Sequence, residues 1–185
     1  RGKTMSDLYF NQTIEALKKL PQIDCITLGG SRATMNHDTD SDYDVYVYLN
    51  QPIAVQERRQ ILSATCQYME LDNQYWETED DCVLKDGITI ELIYRTVEDI
   101  DQSLYHVLNC YSASTGYTTC LCYNVFQAKV LFDPVKKYED MVQKYSFAYP
   151  PRLQKNIIQK NRELLDGKIP SYSQQIAKAI KRSDL

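Results

Sequence analysis

The sequence predicts an α+β fold, a mixed β-sheet backed by helices and followed by a C-terminal helical region, and three observations carry that expectation. Phe10, Ile14 and Leu17 recur at helical spacing and stop before Pro21, and two runs that read as strands, 23–28 and 43–49, come next. A second helical stripe then leads to further strand-like runs. From Val97 onward the apolar repeat is helical to the end of the chain.

Taken in order, Ser6 is placed to cap the first helix, and Ile23-Asp24-Cys25-Ile26-Thr27-Leu28 reads as a strand. Tyr43, Val45, Val47 and Leu49 give the next strand an apolar face. Pro52 opens a helix whose stripe is Ile61, Leu62, Cys66 and Met69. Strands are expected near Gln74–Trp76, Cys82–Lys85 and Ile88–Tyr94, with Asp86-Gly87 as a hairpin turn between the last two. Helices are expected over Val97–Leu108, Thr119–Val130, Val135–Tyr145, Pro151–Leu165 and Ser171–Arg182. This divides the chain into a catalytic part, 5–96, and a helical part, 97–185, that walls the cleft and contacts the acceptor. The last helical pattern runs almost to Leu185, so further C-terminal residues are expected. Arg1–Thr4, ahead of Met5, read as a remnant outside the fold.

One stretch specifies a chemistry. Side chains two apart on a strand share a face, so Asp42 and Asp44 of Ser41-Asp42-Tyr43-Asp44 project together while Tyr43 and Val45 face the core. Two adjacent carboxylates repel unless a cation lies between them. An all-oxygen set suits Mg²⁺, which binds one or two carboxylates and completes its shell with water and substrate phosphates. Upstream, Leu28-Gly29-Gly30-Ser31-Arg32 lies between a strand and a short helix that Ser31 is placed to cap. Bare glycine backbone and helix-start amides favour an anion, so Gly29, Gly30 and the Ser31 hydroxyl suit a phosphate tail, with Arg32 adding a charged contact.

Gly-Ser followed by Asp-x-Asp on the next strand resembles the nucleotidyltransferase superfamily, which includes DNA polymerase beta and the aminoglycoside nucleotidyltransferases. The form Gly-Gly-Ser-Arg-Ala with Ser-Asp-Tyr-Asp is most similar to the bacterial small-molecule type. The resemblance covers residues 23 to 95 at the level of motifs and extends more weakly into the helical tail. It implies a nucleotidyltransferase-type sheet and a third metal-site acid on a later strand, for which Glu91 in Thr89-Ile90-Glu91-Leu92-Ile93 is the candidate; the family more often has Asp there. It further implies two Mg²⁺ ions held by Asp42, Asp44 and Glu91, with Glu91 as ligand, general base or both. ATP or another nucleoside triphosphate is the implied substrate, an acceptor hydroxyl attacks its α-phosphate, and pyrophosphate leaves.

The net charge of −4 and the pI near 5.2 argue against a nucleic-acid surface, which concentrates Lys and Arg, so a template-dependent polymerase is not expected. No apolar run is long enough for a membrane span and no signal peptide is indicated; the expectation is a cytoplasmic protein. Expected partners are the nucleoside triphosphate and a small-molecule acceptor of unknown identity, with no nucleic acid and no membrane, and a homodimer is left open. The six cysteines read as reduced, mostly buried thiols. Fifteen tyrosines include Tyr43, Tyr46, Tyr48 and Tyr94 beside the proposed cleft, for which core packing is the default. Glu77, Glu79, Asp80 and Asp81 read as a solvated turn, and His37 as a solvated loop residue. Two other functions are weighed: transfer of AMP to a protein hydroxyl, as in toxin–antitoxin nucleotidyltransferases, and a non-catalytic nucleotide-binding module. Three metal-directed acids count against the module.

Overall fold

The computed structural model describes residues 7–34, 41–166 and 171–182. Ser6 and His37 lie outside them. The chain forms two compact units. The first takes the residues up to Asp101 together with Tyr123–Lys144, and the second takes Gln102–Cys122 with the residues from Tyr145 onward.

The first unit is built on a six-stranded sheet of order β3-β4-β5-β2-β1-β6. Its elements are α1 (Leu8–Leu17), β1 (Ile23–Leu28), α2 (Gly30–Ala33), β2 (Tyr43–Leu49), α3 (Val55–Leu62), β3 (Cys66–Gln74), β4 (Thr78–Leu84) and β5 (Thr89–Arg95). The start of α4 (Val97–Leu108), most of α5 (Cys120–Gln127), β6 (Lys129–Phe132) and α6 (Lys137–Lys144) complete it. Only β2 and β5 pair in parallel; every other neighbouring pair is antiparallel.

One face of the sheet forms the core. Val45 and Val47 of β2, Ile26 and Leu28 of β1, and Ile90 and Leu92 of β5 pack with Phe10, Ile14 and Leu17 of α1 and Leu62 of α3. Tyr43 stacks on Phe10 at 4.1 Å and its hydroxyl donates to Asp7 Oδ1 at 2.7 Å. That occupies the carboxylate of the residue at the N-cap of α1, which makes no capping bond. The opposite face carries Asp44, Tyr46 and Tyr48 of β2 against Glu91, Ile93 and Arg95 of β5. Here Tyr48 packs edge-on against Tyr138 of α6, whose hydroxyl donates to the Val125 carbonyl at 2.8 Å and so anchors α5. Tyr43, Tyr46, Tyr48 and Tyr94 are all buried, as core tyrosines are.

Several elements differ from the sequence reading. The helix that starts after Pro52 ends at Leu62, and Cys66 and Met69 belong to β3. The turn Ser63–Thr65 breaks the helix, with Thr65 N–H donating to the Leu62 carbonyl, and beyond it Met69 and Leu71 follow a strand period. The strand expected near Gln74–Trp76 is the end of β3 and its turn. The acidic run is no solvated turn: Thr78–Leu84 is β4, with Asp80, Cys82 and Leu84 directed inward and Asp80 fully buried. The expected helix Thr119–Val130 ends at Gln127, and Lys129–Phe132 adds edge strand β6 to β1, so the sheet draws on chain well beyond residue 96. The Asp86-Gly87 turn is present: Gly87 has φ +92° and its N–H donates to the Leu84 carbonyl at 2.9 Å, a three-residue hairpin loop.

In the second unit α7 (Pro151–Asp166) and α8 (Tyr172–Arg182) contact each other. Asn156 of α7 donates to the carbonyl of Tyr111, and the Arg152 guanidinium lies over the Tyr111 ring. His106 sits in α4. All six cysteines are free thiols, with Cys25, Cys66, Cys82 and Cys122 buried and Cys110 and Cys120 exposed. No helix among the described residues is long and apolar enough to cross a membrane.

Candidate functional site

β1 delivers the glycine motif to the end of β2. Gly29 is buried and extended, and its N–H donates to the Asp44 carbonyl at 2.8 Å, which ties the loop to the strand that carries the acids. A Cβ on Gly29 would come within 2.5 Å of the Tyr46 ring. Gly30 has φ +60°, and a Cβ there would sit 1.6 Å from Asp44 Oδ2. The motif thus needs glycine twice for space, and at Gly30 also for conformation. Ser31 does not cap the short helix; Gly29 holds that position, and Ser31 is exposed within the turn.

Replacing Gly30 with alanine pushes the new methyl into the Asp44 carboxylate. Gly30→Ala is expected to lower kcat by about 10²-fold, the effect of misplacing a reacting group by about 1 Å. The melting temperature should fall by only about 2–4 °C, for roughly 1 kcal/mol of backbone strain. Steady-state kinetics beside a thermal melt check this.

Asp44 and Glu91 are register partners on the parallel strands β2 and β5, and strand spacing brings their backbones to about 4.8 Å. Asp42 stands just ahead of β2 and is exposed, while Asp44 and Glu91 are half-buried. Burial, then the charge of Asp42, pushes the Asp44 carboxyl above its ordinary value. Burial, then Asp44, Asp81, Glu79 and Asp42, does the same to Glu91. Asp44 therefore responds to the charge of Asp42, and Glu91 to the charges of both, across one patch. None of the described ion pairs includes any of them. Among the described residues no three His, Cys, Asp or Glu side chains form a ready metal cage. A patch of this kind fits Mg²⁺, which uses one or two carboxylates and leaves the rest of its shell to water and phosphate.

Two features were not read from the sequence. Asp81 of β4 is the register partner of Glu91 and extends the acidic row across a third strand, with Asn73 Nδ2 donating to its Oδ2 at 2.6 Å. Strand parity within the acidic run was the signal, since Asp80 faces in and Asp81 out. A cavity of about 190 Å³ beside the glycines is lined on its far side by Tyr123, Asn124 and Gln127 of α5. Burial of Cys122 and Val125 turns those three outward, but no spacing in the sequence links them to the glycines. Arg32 braces the loop: its Nε donates to the Ser41 carbonyl and its guanidinium lies 4.0 Å over the Tyr43 ring.

The family profile described as "Polymerase beta, Nucleotidyltransferase" matches residues 11–133. The chain belongs to that family. The nucleotidyltransferase match begins within α1 and ends just past β6, so it spans every strand of the sheet as well as the glycine motif and all three acids. Family membership makes the protein a transferase of nucleotidyl groups. A search of curated proteins found no match.

Proposed function

We propose that this nucleotidyltransferase moves a nucleoside monophosphate, AMP from ATP, onto a hydroxyl of a small polar acceptor in the cytoplasm and releases pyrophosphate. The observation that carries the reading is the patch of Asp42, Asp44 and Glu91, outside every described ion pair, with the Asp44 carboxylate pressed against the bare backbone of Gly30. Asp42, Asp44 and Glu91 would hold Mg²⁺, two ions in this reading, which when bound neutralises charge on the entering and leaving oxygens. The chain's own groups do the rest. Gly29, Gly30, Ser31 and Arg32 seat the β and γ phosphates at the end of β1. The acceptor oxygen bonds to the α-phosphorus, the bond to the bridging oxygen breaks, and its electron pair leaves with pyrophosphate. The acceptor's proton passes to the Glu91 carboxylate.

The test is incubation of the protein with Mg²⁺, α-phosphate-labelled ATP and a cytoplasmic extract separated into small-molecule and protein fractions, beside Asp42→Asn/Asp44→Asn. Label in a small molecule, absent with the variant, is expected. Label in a protein band would move the acceptor to a protein hydroxyl. A nucleotide that binds without variant-sensitive label, with all four nucleotides tried, would leave a binding module and end the catalytic proposal.

A further inference from the structure

A second cavity, of about 370 Å³, opens at the carboxyl ends of β2 and β5, within the range of small-molecule sites. Arg95 at its wall lies four positions along β5 from Glu91, about 13 Å of strand, so a group seated there is well removed from the acid patch. Pro52, Ile53 and Tyr94 supply apolar wall. The charges around it are unequal. Arg58 and Arg95 line the cavity, but their side chains are only 4% and 7% exposed and each is engaged, Arg58 with Asp72 and Asp80 and Arg95 with Glu77. Asp72 and Asp99 also line it and are exposed. With Asp80 and Glu77, which pair with the guanidiniums without lining the cavity, four carboxylates surround two guanidiniums, and the exposed charged groups of the wall are Asp72 and Asp99. Asp72 is held in place by its bond to Arg58 and by a left-handed backbone, φ +67°, at a bulge in β3. Asp99 is fixed by reciprocal bonds with Thr96 at the start of α4.

We propose that this cavity binds a small organic cation: an ammonium group between Asp72 and Asp99 on an apolar or aromatic body packed against Pro52, Ile53 and Tyr94. Excess negative charge above low-dielectric walls concentrates cations and rejects anions, and a protonated amine supplies the donors that two fixed carboxylates accept. The site is independent of the proposed transfer reaction and requires neither nucleotide nor metal.

The experiment is titration of ¹⁵N-labelled protein, without nucleotide or Mg²⁺, with benzylammonium and separately with benzyl alcohol, its uncharged counterpart. Benzylammonium is expected to shift the amides of Asn50, Thr96 and Asp99 saturably, and benzyl alcohol to bind about three- to tenfold more weakly. Asp99→Asn, which keeps an oxygen facing Thr96, should weaken benzylammonium by a similar factor and leave the spectrum otherwise native. Equal binding of the two probes, shifts confined to other parts of the chain, an unchanged affinity in Asp99→Asn, or no saturable shift in the millimolar range would each overturn the proposal. Because the titration contains no triphosphate, failure here leaves the transfer reaction untouched, and failure of the labelling assay leaves this site untouched.

Discussion

Asp44→Asn is expected to lower nucleotidyl transfer by about 10³-fold or more while the folded protein becomes no less stable. The two halves of that result have one origin. Asp44 is half-buried beside Asp42 and opposite Glu91, so its carboxylate sits where charge is disfavoured, and its pKa is raised by burial first and by Asp42 second. Such an arrangement costs stability and is tolerable where a cation or a transferring phosphate completes it; losing a group that stabilises developing charge typically costs 10²–10³-fold, and a metal ligand more. The amide of asparagine keeps the shape against Gly30 and removes the repulsion. The same reasoning fixes a pH dependence. For Asp44 and Glu91 the folded protein favours the neutral acid, so their contribution to stability is complete below the ordinary carboxylate values. It is lost as pH rises through the raised folded-state values. Wild-type melting temperature should therefore fall from pH 4 toward neutrality more steeply than that of Asp44→Asn/Glu91→Gln. Adding Mg²⁺ at neutral pH should recover part of the loss in the wild type alone, since binding to the folded form stabilises it. Parallel melts with and without Mg²⁺ decide this, and equal pH slopes in the two proteins would refute the unfavourable acid patch.

What could be read from the sequence was what short-range geometry determines. Asp42 and Asp44 flank a core-facing Tyr43, Gly29-Gly30 follows a strand, and Asp86-Gly87 closes a hairpin; each is a local rule with one outcome. The sequence points to a helix through Cys66 and Met69 because Ile61, Leu62, Cys66 and Met69 satisfy a 3.6-residue period by chance across the turn at Ser63–Thr65, where the true period changes to two. β6 was missed because four residues carry too little pattern, and it is defined by pairing with β1, which lies about a hundred residues earlier in the chain. Residue type alone makes Ser31 a helix cap. Nothing local marked the close approach of Asp44 to Gly30, which leaves the cap position to Gly29. The acidic run misled most. Four acids in five residues read as solvated, yet parity splits them: Asp81 joins Glu91 on the site face and Asp80 enters the core. The partner that makes burial of Asp80 tolerable, Arg58, lies on α3, so only the tertiary fold reveals the pair.

That pair gives the largest expected effect on stability. Arg58 Nη1 donates to Asp80 Oδ1 at 2.6 Å, Nη2 donates to Asp72 Oδ1 at 2.8 Å, and the guanidinium lies 4.7 Å over the Tyr94 ring. Tyr94 donates its hydroxyl to Asp80 Oδ2 at 2.8 Å; burial, then the charge of Asp80, holds its pKa far above the ordinary phenol value. With side chains 4% and 0% exposed, Arg58 and Asp80 receive almost no solvent screening. Arg58→Ala or Asp80→Ala strands the other charge in the core and should cost about 3–5 kcal/mol. At about 2–4 °C per kcal/mol for a chain of this size, the melting temperature should drop by roughly 6–20 °C. Removing the whole network should behave differently. Arg58 Nε is buried without a hydrogen-bond partner, so the network is incompletely satisfied, and incomplete polar networks compare poorly with apolar packing. Arg58→Met/Asp80→Leu/Tyr94→Phe is therefore expected to melt near the wild-type temperature, or above it. Its backbone should stay intact while Asp72 loses its anchor at the wall of the 370 Å³ cavity. If the triple variant is stable but binds benzylammonium several-fold more weakly, the network is retained to fix a carboxylate at the cavity rather than to stabilise the core. A triple variant as unstable as the single ones would mean that these charges contribute to folding itself.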